Sequence, residues 1–146
     1  MAFFLDDCMY VISDDEKFKT VHNEDMPDII KDWFGIEYEN DEFQHLGSVA
    51  TNNGYSDWAT TEINADIKSM WYRFSRREDD YCIECSEDGI KYKQMRICHM
   101  YKAIDEIQFG IYACSPEESS FKATFTNMEI TECKWLAHDG QAPDEE

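Results

Sequence analysis

The chain has 146 residues, 42% of them hydrophobic and 14% aromatic, which is enough for one packed core and too apolar for a disordered segment. Its 32 acidic and 13 basic residues leave a formal net charge of -19. That field repels phosphate backbones and anionic lipid, so neither a nucleic-acid partner nor a membrane surface is expected.

No apolar run approaches the ~20 residues that span a bilayer. The start, Met1-Ala2-Phe3-Phe4-Leu5, meets Asp6-Asp7 at once and has no basic lead or secretory core, so a cytoplasmic location is expected. The six cysteines, Cys8, Cys82, Cys85, Cys98, Cys114 and Cys133, then read as reduced thiols rather than a disulfide framework.

Met9 to Ile12 is a short apolar run that ends at Asp14-Asp15-Glu16, a strand and then a turn. His22 to Asp28 is polar and reads as a loop, with a brief helical turn at Ile29-Ile30-Lys31. Trp33 to Tyr38 alternates, with Phe34, Ile36 and Tyr38 on one face and Trp33, Gly35 and Glu37 on the other. His45 to Thr51 alternates again, and Asn52-Asn53-Gly54 carries strong turn chemistry. Met70 to Arg76 is the clearest strand, and Tyr81 to Ser86 is its hairpin partner. Glu87-Asp88-Gly89 is a tight turn into a strand over Tyr92 to Ile97. Further strands are predicted over Ile107 to Ala113, around Phe121, Ala123 and Phe125, and over Glu129 to Leu136. Turn signals recur about every 8–12 residues, the pattern of a sandwich or barrel.

The same text carries a family resemblance. Its stretches are Gly35-Ile36-Glu37-Tyr38, Leu46 to Asn52 leading to Ser56-Asp57-Trp58, Trp71 to Arg77, and Cys85 to Gly89. Gln94-Met95-Arg96 and Gly110 to Glu117, leading to Ala123-Thr124-Phe125, continue it. In this order over residues 33–131, the chain resembles the concanavalin A-like family of largely uncharacterised domains named after a regulator of enolase. The resemblance implies an all-β, jelly-roll-like sandwich of two antiparallel sheets. It also implies an intracellular domain with no established enzymatic activity, linked by name to the regulation of enolase. Two departures stand out. Lys31 and Trp33 occupy places where the family carries a Trp followed by a Lys, and only Met1 to Lys17 is available where the family has further N-terminal strands. Either that segment substitutes, a second copy completes the sandwich, or the chain is a fragment. The domain is expected to be residues 1–136, with an acidic, disordered tail over 137–146.

Retaining glucanases on this fold place Glu, Asp and Glu on alternate residues of one strand, so that all three share a face. Asp105-Glu106-Ile107-Gln108 and Glu129-Ile130-Thr131-Glu132 both lack that alternation, so no catalytic residue is assigned. Cys82 and Cys85 lie in an alternating strand, where residues three apart point to opposite faces, which argues against a zinc knuckle. No metal and no cofactor is expected, and His45, the one histidine on a predicted strand, reads as structural. The remaining possibility is binding. Trp33, Trp58, Trp71 and Tyr112 offer aromatic faces, and Glu37, Asp57, Arg73 and Arg96 offer polar groups. The competing reading puts the indoles in the core and pairs Arg73 with an acidic neighbour. The expected role is a non-enzymatic binding or regulatory domain for a protein partner, or a lectin-like carbohydrate binder. A homo-oligomer would follow if a second copy supplied the missing strands.

Overall fold

The computed structural model describes residues 2–5, 8–12, 18–22, 32–101, 107, 109–111, 113 and 122–136. Among these residues the chain is all β, with nine strands and no helix. It divides into two compact units. One comprises Met1–Lys31 with Ile104–Glu129, the other Asp32–Ala103 with Ile130–Glu146.

The first unit holds an antiparallel sheet of consecutive strands, β1 (Ala2–Leu5), β2 (Cys8–Ile12) and β3 (Phe18–His22). Only β2 was predicted. The expected helical turn at Ile29 to Lys31 lies outside the described residues, and so does the tail over 137–146.

The second unit holds two antiparallel sheets of three strands each, an arrangement compatible with a β-sandwich. In the first sheet, β4 (Trp33–Tyr38), β5 (Phe43–Asn52) and β6 (Tyr55–Asn64) lie in chain order. Asn40 sets the β4–β5 turn, its Oδ1 accepting the backbone N–H groups of Glu42 and Phe43 at 2.8 and 3.1 Å. The β5–β6 turn is the predicted one. Asn53 and Gly54 both have positive φ, 52° and 81°, the primed geometry whose twist matches paired strands.

The second sheet runs β7 (Trp71–Arg77), β8 (Asp80–Ser86) and β9 (Lys93–His99). The loop before β9 is built on Asp88, whose Oδ1 accepts the N–H groups of Ile90 and Lys91 and the Ser86 hydroxyl, each at 2.8 Å. Gly89 sits there at φ +69°, and an added Cβ would meet the Trp71 ring at 3.0 Å. Both the backbone and the packing therefore require glycine.

The core lies between these two sheets. Phe34 on β4 meets the Tyr72 ring at 5.6 Å and stacks on Phe74 at 5.5 Å, and Phe74 stacks in turn on Tyr81 at 5.3 Å. Ala50, Tyr81, Ile83 and Cys85 are buried. Asn52, at the end of β5, donates to the His99 carbonyl at 2.8 Å and accepts the Tyr101 N–H at 2.6 Å, tying the two sheets at one end. The other face of the second sheet is buried at the centre, although Trp71 at its edge stays exposed. Cys82, only 2% exposed, shares that face with buried Ser75 and Ser86. The Arg77 guanidinium donates to the carbonyl of Trp135, itself a buried residue of the C-terminal stretch.

That stretch corrects a prediction. No strand forms over Glu129 to Leu136, nor at the described residues within Ile107 to Ala113 and Phe121 to Phe125. Ile130 and Leu136 remain exposed while Trp135 is buried, so the segment anchors by one indole instead of by a ladder.

Three outcomes test this packing. Phe34→Ala should cost about 3 kcal/mol in chemical denaturation, the low end for an aromatic truncation because Phe34 is only half-buried. A loss under ~1 kcal/mol would place the inter-sheet contact elsewhere. The buried Tyr72 hydroxyl has no hydrogen-bond partner among the described residues, and its burial also pushes the phenol pKa up. Tyr72→Phe should therefore gain roughly 1 kcal/mol, the cost of an unsatisfied polar group, and a loss would reveal a partner for the hydroxyl. The N–H groups of Lys91 and Ile90, and then Ser86, hold the Asp88 carboxyl below the usual aspartate range. A depressed folded-state pKa means the stabilisation is present at neutral pH and is lost as pH falls through that lowered value. The melting-temperature gap between wild type and Asp88→Asn should shrink as pH drops below about 3.9, the unfolded value. A constant gap would rule out the charge as its source.

Candidate functional site

Strict alternation gives the first sheet two faces, and the register fixes which side chains share a row. Phe34, Ile36, Gln44, Ser48, Ala50 and Ile63 belong to the face turned towards the second sheet. On the opposite, outer face three rows cross β4, β5 and β6. Trp33, Val49 and Trp58 form an aromatic row; Gly35, Gly47 and Thr60 form a nearly bare row; and Glu37, His45 and Glu62 form an acidic row. The bare row makes a trough between the other two.

Gly47 leaves the space that the Trp33 ring occupies, and lies buried beneath it. A Cβ there would lie 3.3 Å from the Trp33 ring and 3.6 Å from the Thr60 methyl, so a large side chain would displace the indole. Trp33 reclines over this gap and meets Trp58 edge-on, with centroids 6.5 Å apart and planes at 60°. Trp58 itself is 61% exposed. His45, Trp58 and Thr60 line a shallow open cleft of about 210 Å³. It is smaller than the roughly 300–1,000 Å³ of pockets that enclose a drug-sized ligand, so it suits one side chain or one sugar ring. His45 Nδ1 lies 2.9 Å from Glu39 Oε1, and its ring packs against Phe43 at 5.4 Å. These contacts orient the imidazole at the cleft wall.

The predicted site residues separate into three groups. Glu37 and Trp58 share the outer face, in the acidic and aromatic rows. Asp57 does not join Trp58, because β6 extends through Ser56-Asp57-Trp58 and alternation turns Asp57 to the opposite face. There it pairs with Arg96, 2.9 Å from Oδ2, while Arg96 also donates to the Asp57 carbonyl at 3.0 Å. Arg73 is likewise engaged, forking onto Glu84 at 2.6 and 2.9 Å and stacking 4.4 Å above the Tyr92 ring. The competing reading of Arg73, pairing with an acidic neighbour, is the one the structure shows. Trp71 belongs to the second sheet and packs on Gly89. Tyr112 lies outside the described residues.

His45, Gly47, Thr60, Glu39 and Glu62 complete the face and were not among the predicted site residues. The signal for them was available in principle: a two-residue turn at Asn53-Gly54 fixes every later β5–β6 pair. Cys82 and Cys85 belong to the second sheet and take no part in this site. Cys82 and Cys85 occupy opposite faces of β8, and burial pushes the Cys82 thiol up to about 11, far from the reactive thiolate range.

Comparison with known proteins places this architecture. Residues 30–133 match the model of a family described as "Protein of unknown function (DUF1349)". The chain is also similar to "Regulation of enolase protein 1" of Saccharomyces cerevisiae (strain ATCC 204508 / S288c), at 31% identity over 97 residues. That alignment covers 66% of this chain and 48% of the yeast protein, so the chain spans about half the length of the curated relative it matches. No solved structure matches it significantly. Because the family model takes in well over half of the chain, including every strand of the two-sheet unit and the Trp33–Gly47–Trp58 face, this protein belongs to the DUF1349 family.

Proposed function

We propose that this chain is a non-enzymatic, cytoplasmic binding and regulatory domain that meets a protein partner on the outer face of β4, β5 and β6. One observation carries the reading: Trp58 stands 61% exposed beside Trp33 on a sheet face with a cleft between its rows. A large exposed indole at the centre of a patch is the usual form of an interface anchor. The similarity to a yeast protein named for the regulation of enolase supports a regulatory role of the same kind, with a glycolytic enzyme as the first partner to try. A concanavalin A-like arrangement of the sandwich fits the two antiparallel sheets. The non-enzymatic reading is supported by Glu129 and Glu132, which lie on no strand and so cannot present carboxylates on a common sheet face. Among the described residues no helix is long and apolar enough to cross a membrane.

A second reading has its own support. Trp58 beside His45 and Thr60 combines an aromatic platform with two hydrogen-bonding groups, as a lectin-like site for a sugar ring requires.

Affinity capture from lysate with wild type and Trp58→Ala tests the first reading. The substitution should abolish recovery of the partner and change stability by no more than about 0.5 kcal/mol, as for other surface positions. Gly47→Leu should also abolish it, by driving the Trp33 ring out of place. Recovery that survives both substitutions would sink the proposal. Binding to a glycan array that is lost in Trp58→Ala would establish the sugar reading instead.

A further inference from the structure

The first sheet has an unusual charge distribution. From Asp32 to Ile67 the chain has eight acidic residues, Asp32, Glu37, Glu39, Asp41, Glu42, Asp57, Glu62 and Asp66, and no lysine or arginine. Asp57 is met by Arg96 from the second sheet, and that pair lies on the face away from the cleft. Among the described residues the outer face has no such supply of cations. Its acidic row sets Glu37 and Glu62 directly across from His45 on either side, and Glu39 bonds the same imidazole. One imidazole thus stands among three carboxylates.

The aromatic row lies two rows away on β6, from Trp58 to Glu62, a span of roughly 13 Å along the strand. Only Gly35, Gly47 and Thr60 intervene; the Trp33 ring lies over Gly47, and among the described residues nothing else bulky fills the trough. A ligand crossing this trough meets an indole face at one end and carboxylates at the other. An alkyl stem stacks on indole, and a cationic head is attracted to both the ring face and the carboxylates.

We infer that this face docks a lysine or arginine side chain presented by an extended basic segment of a protein partner. The alkyl stem lies on Trp58, and the charged group sits among Glu37, Glu39 and Glu62. The inference rests on the protein-partner reading above and adds the chemistry of the partner. Charge complementarity selects this occupant over the others. A second copy of the chain brings a net charge of -19 against the same field. A neutral sugar would use the indole and leave the acidic row without a counterpart. In an extended segment, same-side residues are spaced about 6.7 Å apart, which matches the row spacing of the sheet. Alternate basic residues would therefore fall in step with the rows.

Titration calorimetry of the full chain with a decapeptide of alternating lysine and serine tests the inference, with a glutamate–serine decapeptide as control. The lysine peptide should bind and the glutamate peptide should not. Affinity should fall at least about tenfold in Trp58→Ala and in the double variant Glu37→Gln, Glu62→Gln. Glu87→Gln, in the exposed loop after β8, removes charge from the other sheet and should change affinity less than twofold. Equal losses in the Glu87 variant and the double variant would reduce the effect to diffuse attraction and overturn the inference. So would a lysine peptide that does not bind, or one that binds Trp58→Ala unchanged. The lysate capture separates the two failures. A partner lost in Trp58→Ala alongside a silent lysine peptide would sink this inference and leave the partner reading standing. A partner still recovered by both Trp58→Ala and Gly47→Leu would sink both.

Discussion

The register of β5 against β4 and β6 is the constraint on which the rest of the two-sheet unit depends. Side chains alternate with a period of two, so a slip of one residue would exchange the faces of the whole strand. Ser48 and Ala50 would turn outward, and Gly47 would leave the position where the Trp33 ring reclines. The turn at Asn53-Gly54 prevents that slip, because its two positive φ angles allow one pairing of the flanking strands. Core and candidate site are therefore two sides of the same pairing.

The two sheets of this unit solve different problems. The second has buried residues on both faces around its central strand β8, beside Phe74 and Phe34 on one side and at Cys82, Ser75 and Ser86 on the other. Arg73 is paired there with Glu84, while the buried Tyr72 hydroxyl finds no partner among the described residues. Among the described residues the first sheet is covered on one face only. On β6 every residue but Ile63 is exposed, so this strand contributes more surface than core. A face that is ordered by its register, yet uncovered, is where a sheet protein can afford an exposed indole.

What could be read from the sequence follows the strength of alternation. Trp33 to Tyr38 was bounded correctly because its large residues alternate without a break, and the hairpin of β7 and β8 followed from similar text. The full length of β6 was missed because Ala59-Thr60-Thr61-Glu62 is exposed on both faces and has no apolar period to detect. Conversely, Glu129 to Leu136 looked like a strand because it mixes apolar and polar residues, but only Trp135 finds a buried place. Of the site, Trp58 and Glu37 were identified by residue type. Gly47 and Thr60 carry no chemical signature of their own and matter only through the neighbours that pairing gives them. His45 was set aside as structural, and its bond to Glu39 shows that an orienting contact and a place on the cleft wall coexist. Arg73 and Arg96 were overvalued because a sequence does not show that a guanidinium is already engaged.

Both sheets of this unit are meanders, each strand beside its predecessor in the chain. Most of their pairings therefore join residues close in sequence, which keeps loop-closure costs low and favours rapid formation of each sheet. The contacts that unite them are few and distant in sequence, such as Phe34 with Phe74 and Asn52 with His99. In kinetic terms, sheet formation is a local search and docking is the topologically expensive step. The aromatic stack at the interface thus carries the loop-closure cost of joining the two sheets.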